Sequence, residues 1–369
     1  MRVLILADEI FATREPGLLS RLEVGLADEG VRVIHAVPDT ALPYAPAELV
    51  SRRLTYPQRR WSLGLSATAR ALARQGEEAA EANGGGDIDL VHVFGGAAWS
   101  LGAALARALE VPLVVEVWRT GLAARAREFS PRDLGPPLFI APDTSIERAL
   151  RQDAEAMLVR LAPWGVLTPA RHAPRFAPDR SISAMVIGSG RSRAAFVAAI
   201  EGLAYAIRDG ADALIFCDAK AARRAELWGV ARRMGVLDRL SLIADLEARR
   251  DLVLQGDVLV QPDASGEQRS ITLEAMGGAM AVVAAEDPGV SVLQEGRTAR
   301  LVRAPDGVLW AGILREVLAN VEGARALGES ARAFVASHRR ASEHVRSVLE
   351  AYTWIIKGDI LPFRSAQRV

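Results

Sequence analysis

Twice along this chain, short runs of β-branched and other apolar residues alternate with longer stretches whose apolar positions recur at helical spacing. That alternation limits the possible folds more than anything else in the sequence. The first series opens with RVLILA, passes through GLLSRLEVGLADEG, which closes on Gly30, and returns to a strand at VRVIHAV. A helical pattern around SLGLSATARALARQGEEAAEA follows, then a turn at NGGGDID, the strand LVHVF, a helix from Trp99 to Leu109 and the strand PLVVEVW. Strands and helices in this order build a parallel sheet covered on both faces.

Near residues 169 to 182 the pattern lapses into PARHAPRFAPDRSI, rich in proline and arginine and without periodicity, as an interdomain linker reads. The alternation then restarts with SAMVIG, a helix through AAFVAAIEGLAYAI, ADALIFC, a helix through AELWGVARRMG, LSLIA, LEARRDLVLQG and DVLVQP. A chain of 369 residues exceeds what one core usually organises. Two doubly wound domains are therefore expected, residues 1 to 170 and 171 to 350. Such domains bind ligands at the carboxyl ends of their strands.

Charge and cysteine content narrow the function classes. Lys plus Arg and Asp plus Glu number 45 each, so no global basic field exists to drive nucleic-acid binding. The single cysteine, Cys217, excludes an internal disulfide framework and a cysteine-based zinc cluster, and with it a cytoplasmic location is expected. The apolar start of MRVLILADEIF is too short for a signal-peptide core and is interrupted at Asp8 and Glu9. The longest apolar region, AAWSLGAALARALEVPLVVEVW, is broken by Arg107, Glu110 and Pro112, so no membrane crossing is expected.

Within SGEQRSITLEAMGGAMAVVAAEDPG, residues 265 to 289, one carboxylate, Glu274, interrupts an otherwise apolar helix face. Burying an ionised carboxylate costs on the order of several kcal/mol unless something donates hydrogen bonds to it. Either a ligand is that donor, or Glu274 faces solvent.

The longer segment DVLVQPDASGEQRSITLEAMGGAMAVVAAEDPGVSVLQEGRTARLV resembles the donor-binding signature of the retaining nucleotide-sugar glycosyltransferases of family 4. It has the strand, the proline, a glutamate-flanked loop, a helix bearing LEAM, a second strand and a G-x-T-A-x-L-V ending. DLVHVFGG, VPLVVEV and PWGV support the resemblance, which covers most of the chain. It implies a GT-B fold, in which two Rossmann-like domains face a central cleft and a C-terminal segment, here 351 to 369, crosses back onto the N-terminal domain. The N-terminal domain would then serve the acceptor and the second the donor. That packing would bury Trp354 and Ile355. The activity implied is metal-independent, retaining transfer of a sugar from a UDP-, GDP- or ADP-sugar, with no tightly bound cofactor.

The resemblance also implies roles for particular residues. Glu274 matches the glutamate that binds the donor ribose, whose two hydroxyls would satisfy the carboxylate. The glutamate eight positions earlier, near the transferred sugar, falls on Gly266, and the nearest acid, Glu267, stands one residue late. Ser270 and Ile271 lie where helix-start amides favour phosphate oxygens, and Arg269 either adds a charged contact or is a surface residue beside a capping Ser270. In IGSGRSR, Gly188 and Gly190 provide the turn, Ser189 replaces the family's arginine, and Arg191 and Arg193 arrive late to neutralise the diphosphate. Backbone groups near Leu246 would meet the base, and amides around Gly17 a phosphate. Trp118 stands where the family carries a histidine, and His92 reads as a packed strand residue.

Other candidates are weaker. Asp87 and Asp89 read as turn chemistry, the scattered histidines give no metal site, and Cys217 reads as buried. Arg52, Arg53, Arg59 and Arg60 form either a solvated face or a basic edge for an anionic acceptor or a peripheral membrane contact. Three readings follow: an active transferase, a catalytically silent relative that binds a nucleotide, a sugar or a protein partner, and, last, a nucleotide-sugar epimerase.

Overall fold

The computed structural model describes residues 1–44, 50–58, 64–82, 84–152, 157–172 and 174–357. Arg59, Arg60 and the end of the C-terminal segment lie outside the described residues. The chain divides into two compact units, Met1–Trp164 with Ala341–Val369, and Gly165–Arg340.

In the first unit, β1 (Arg2–Ala7), α1 (Glu9–Arg14), α2 (Pro16–Asp28), β2 (Arg32–Pro38), β3 (Ser51–Tyr56), α3 (Leu65–Ala82) and β4 (Leu90–Phe94) are followed by α4 (Trp99–Leu109), β5 (Leu113–Glu116), α5 (Ala123–Glu128), β6 (Leu138–Ala141), α6 (Thr144–Arg151) and β7 (Leu158–Leu161). The strands form one seven-stranded sheet, ordered β3-β2-β1-β4-β5-β6-β7. Every pairing in it is parallel. Strand β1 is buried along its whole length, and α2 turns Leu18, Leu19, Leu22 and Leu26 inward at helical spacing. Strand β3, carrying Arg52 and Arg53, is an element that the apolar pattern does not announce. It sits at the sheet edge in register with β2, where charged side chains reach solvent and deter further pairing.

The second unit repeats the plan with β8 (Ile182–Val186), α7 (Arg193–Arg208), β9 (Ala213–Asp218), α8 (Ala219–Arg224), α9 (Leu227–Met234), β10 (Leu240–Ile243), α10 (Arg250–Val253), β11 (Val258–Gln261), α11 (Ser270–Gly277), β12 (Ala281–Ala285), β13 (Arg300–Val302), α12 (Gly307–Ala319) and α13 (Val321–His338). Its six strands are also parallel, in the order β10-β9-β8-β11-β12-β13. The core joins Val186, Ile215, Val260 and Val283 of the sheet to Phe196, Leu203, Trp310 and Leu314 of α7 and α12.

The last described helix, α14 (Ala341–Ile356), returns to the first unit. It packs on α2, where Gly25 leaves room for Val345, and a side chain at Gly25 would overlap that valine. Ile355 is buried, while Trp354 is half-buried beneath the Arg160 guanidinium at 4.6 Å. The Tyr352 hydroxyl lies 2.7 Å from His92 Nδ1, and on the far side of that ring Nε2 is 3.6 Å from Glu116. Trp164 Nε1 donates to the other Glu116 oxygen at 2.6 Å. Burial pushes the Glu116 carboxyl up to about 8 and holds the His92 imidazole well below its ordinary value. A neutral acid, imidazole and phenol thus run through the core, which spares the protein the cost of burying charge.

Candidate functional site

A doubly wound sheet opens a crevice where its strand order reverses, at the carboxyl ends of the two strands on either side. In the second unit these strands are β8 and β11. Beyond β8 the backbone runs through Gly188 and Gly190, both at positive φ. Gly190 presses on α8 so closely that a Cβ would fall 2.5 Å from the Ala221 carbonyl oxygen, so no other residue fits without moving the loop. Between them the Ser189 amide donates to Asp263 Oδ2 at 2.5 Å, and the Ser189 carbonyl accepts from Arg224 at 3.0 Å. One carboxylate thereby ties the β8 loop to the β11 loop across the reversal.

The β11 loop is held by further ionic contacts. Gly266, at positive φ, donates its amide to Asp287 at 2.7 Å. Arg269 donates to both oxygens of Glu247, at 2.5 and 2.7 Å, and to Glu267 at 2.8 Å. Its side chain is only 1% exposed. Burial opposes the charge, but the carboxylates of Glu247, Glu267 and Asp263 outweigh it and hold the guanidinium above its ordinary value. Arg269 is therefore not a surface residue; it fixes two carboxylates in position.

Helix α11 begins at Ser270, and all eight of its residues are buried. Arg269 occupies the cap position without a side-chain cap bond, so Ser270 does not cap the helix. The Ser270 hydroxyl instead points along the helix, 3.5 Å from a Glu274 oxygen, and Ile271 is fully buried. Glu274 is 9% exposed and faces Arg250 of α10 at 3.5 Å. A cation thus accompanies the carboxylate that interrupts the apolar helix.

Of the residues singled out from the sequence, Gly188, Gly190, Leu246, Glu267, Arg269, Ser270, Ile271 and Glu274 all fall in this unit's carboxyl-end loops or on α11. Leu246 is buried, and its amide is taken by Asp218 at 3.0 Å. Arg191 is exposed, and Arg193, the first residue of α7, pairs with Glu226 at 2.6 Å on the surface. Gly17 stands apart in the first unit, in the first turn of α2. Trp118 is also there, 4% exposed, with Arg14 over its ring at 4.3 Å and Phe11 against its edge at 6.2 Å. Asp89 accepts the Arg2 amide at 2.6 Å and Gly85 accepts from the Arg2 guanidinium, so this region is turn structure. Cys217 is buried, and burial pushes its thiol up to about 12.

Sequence reasoning missed Asp263, Glu247 and Arg250 and gave Asp218 no role. Asp218 caps α8 through the amides of Lys220 and Ala221 as well as holding Leu246. The available signal was an acid immediately after an apolar strand, as in IFCD and VQPD. Apart from the cap on α8, the partners of those acids, Leu246 for Asp218 and Ser189 for Asp263, lie too far along the chain to be read from spacing. Among the described residues no group of His, Cys, Asp and Glu is arranged to hold a metal ion, and no helix is long and apolar enough to cross a membrane.

No protein-family model and no curated protein matches this chain. Solved structures do. A glycosyltransferase from Rickettsia africae ESF-5 superposes with a TM-score of 0.71 at 14% identity, covering 96% of this chain and 98% of the other. HepE from Anabaena, in complex with UDP and glucose, gives 0.70 at 15% identity over 96% and 99%. WaaG, a glycosyltransferase involved in lipopolysaccharide biosynthesis, gives 0.65 at 15% identity over 96% and 99%. The two parallel α/β units with the returning C-terminal helix are the GT-B fold of these glycosyltransferases.

Proposed function

We propose that this chain is a glycosyltransferase that moves a sugar from a nucleotide-sugar donor to an acceptor, with the donor on the second unit and the acceptor on the first. The observation that carries the reading is the buried Glu274 on α11, behind the loop that follows β11, in a fold shared with HepE bound to UDP and glucose. Ribose hydroxyls would donate to Glu274. The amides at Gly188, Gly190, Ser270 and Ile271, with Arg191 and Arg193, would receive the diphosphate at the crevice, where leaving-group charge develops. Arg269 would hold Glu267 toward the transferred sugar rather than meet phosphate itself. The base would lie beside the turn at Leu246. Transfer would retain configuration, and the arginines and helix-start amides would serve in place of a metal.

Calorimetric titration with UDP, GDP and ADP without added metal tests this, followed by donor hydrolysis with sugars of the nucleotide that binds. Binding of one nucleotide with slow, chelator-resistant sugar release is expected. Absence of binding to all of them overturns the reading.

A further inference from the structure

The first sheet also reverses its order, between β1 and β4, and a cavity of about 100 Å³ opens there beside Asp8, Tyr56, Thr68, Ala97 and Leu101. Its polar walls are the acceptors of Asp8 and Tyr56 together with the Thr68 hydroxyl and the Gln58 side-chain amide, which can also donate. Asp8 Oδ1 takes the Phe11 amide at 2.8 Å and Oδ2 the Ala97 amide at 2.9 Å. A carboxylate has about four lone-pair sites, so with the Ile10 amide also taken one stays for a ligand. The Tyr56 hydroxyl spends its proton on the Ala7 carbonyl at 2.7 Å and can only accept from anything in the cavity. Burial first, and then the nearby acids Asp8, Glu9 and Asp39, hold the Tyr56 phenol above its ordinary value, so it keeps that proton, and burial raises the Asp8 carboxyl as well.

A small cavity that offers the acceptors of Asp8 and Tyr56 beside groups able to donate suits hydroxyls, which both donate and accept. Its size admits a few water-sized groups, not a whole sugar ring. Leu65 and Leu101 line it as well and suit the carbon side of such a ligand. We propose that this cavity binds the neutral diol end of a polyol or sugar, with Asp8 and Tyr56 accepting its hydroxyl protons. Naming that group the acceptor of the transfer rests on the glycosyltransferase reading; the binding does not. A phosphorylated end would bring its negative charge beside Asp8, Glu9 and Asp39 and is not the ligand expected.

Saturation-transfer NMR with glycerol, propan-1-ol and glycerol phosphate tests the cavity on the full chain. Asp8 caps α1, so its replacement risks the fold; Thr68→Leu, at the half-buried rim, fills the space instead. Wild type is expected to saturate glycerol well above propan-1-ol and to leave glycerol phosphate unsaturated, with methyl glucoside competing. Thr68→Leu should lower the glycerol signal about fivefold or more, as loss of a pair of neutral hydrogen bonds would. Equal signals for glycerol and propan-1-ol, or a glycerol signal unchanged in Thr68→Leu, overturn the proposal. UDP, GDP and ADP titrations run in parallel separate the two ideas. Glycerol binding without nucleotide binding keeps the cavity and removes the transferase reading, while nucleotide binding without glycerol binding does the reverse.

Discussion

Asp263 accepts the Ser189 amide at 2.5 Å, and so joins the loops beyond β8 and β11 at the one place where the second sheet changes direction. The first unit does the same with Asp8, which follows β1 and takes the amide of Ala97 beyond β4 at 2.9 Å. In both units a short carboxylate pins an opening that the sheet would otherwise leave loose.

Replacing Asp263 with alanine should cost about 1–3 kcal/mol, because the Ser189 amide loses a charged acceptor in a buried setting. Asn retains an acceptor oxygen and should recover most of that loss. Urea unfolding midpoints of the two variants check this; equal destabilisation would mean that the tie is not what stabilises the loops.

Arg269→Met should be far more damaging, by about 3–5 kcal/mol, since it leaves Glu247 and Glu267 without the cation that both carboxylates share. Arg269→Lys should rescue only partly, because one ammonium cannot reproduce the planar fork reaching two carboxylates. Chemical denaturation of both variants gives the comparison, and full rescue by lysine would contradict it.

Glu274→Ala should weaken binding of whichever nucleoside diphosphate the protein takes by about 1–3 kcal/mol, the scale of a lost charged hydrogen bond. Calorimetry on a variant with a native circular dichroism spectrum measures it. Unchanged affinity would leave Glu274 a structural residue that faces Arg250 and Ser270.

Glu116 predicts a pH dependence. Its folded value, about 8, lies above the ordinary 4.5, so between these values the folded state holds a proton that the unfolded state has released. The stabilisation is complete below the lower value and is lost as pH rises through the window, at about 1.4 kcal/mol per unit for this one group. Glu116→Gln keeps an oxygen for Trp164 Nε1 and cannot ionise. The stability difference between Glu116→Gln and wild type should therefore be flat below the window and shift in favour of the variant as pH rises across it. Unfolding midpoints from acid to mildly alkaline pH test the sign; a difference independent of pH would show that Glu116 titrates normally.

The tandem parallel sheets and most of the helices over them were legible because burial periodicity is local, whereas the crossing back of the C-terminal segment was expected only from the family resemblance. A run such as RVLILA has one stable use, between two helical layers, whatever surrounds it. Glu274 stood out for the same reason, a charge breaking a local apolar pattern. Edge strand β3 was missed because edges tolerate arginine, and the apolar signal disappears there. What only the tertiary structure decided is who neutralises whom. Arg269 meets Glu247 from 22 residues away, Ser189 meets Asp263 from 74, and the Leu246 amide goes to Asp218 from 28. Such pairings depend on which loops the sheet order brings to one end. A side chain's spacing along the chain carries no record of that, so Arg269 read equally well as a phosphate ligand or a solvated surface charge until the fold enclosed it between two carboxylates.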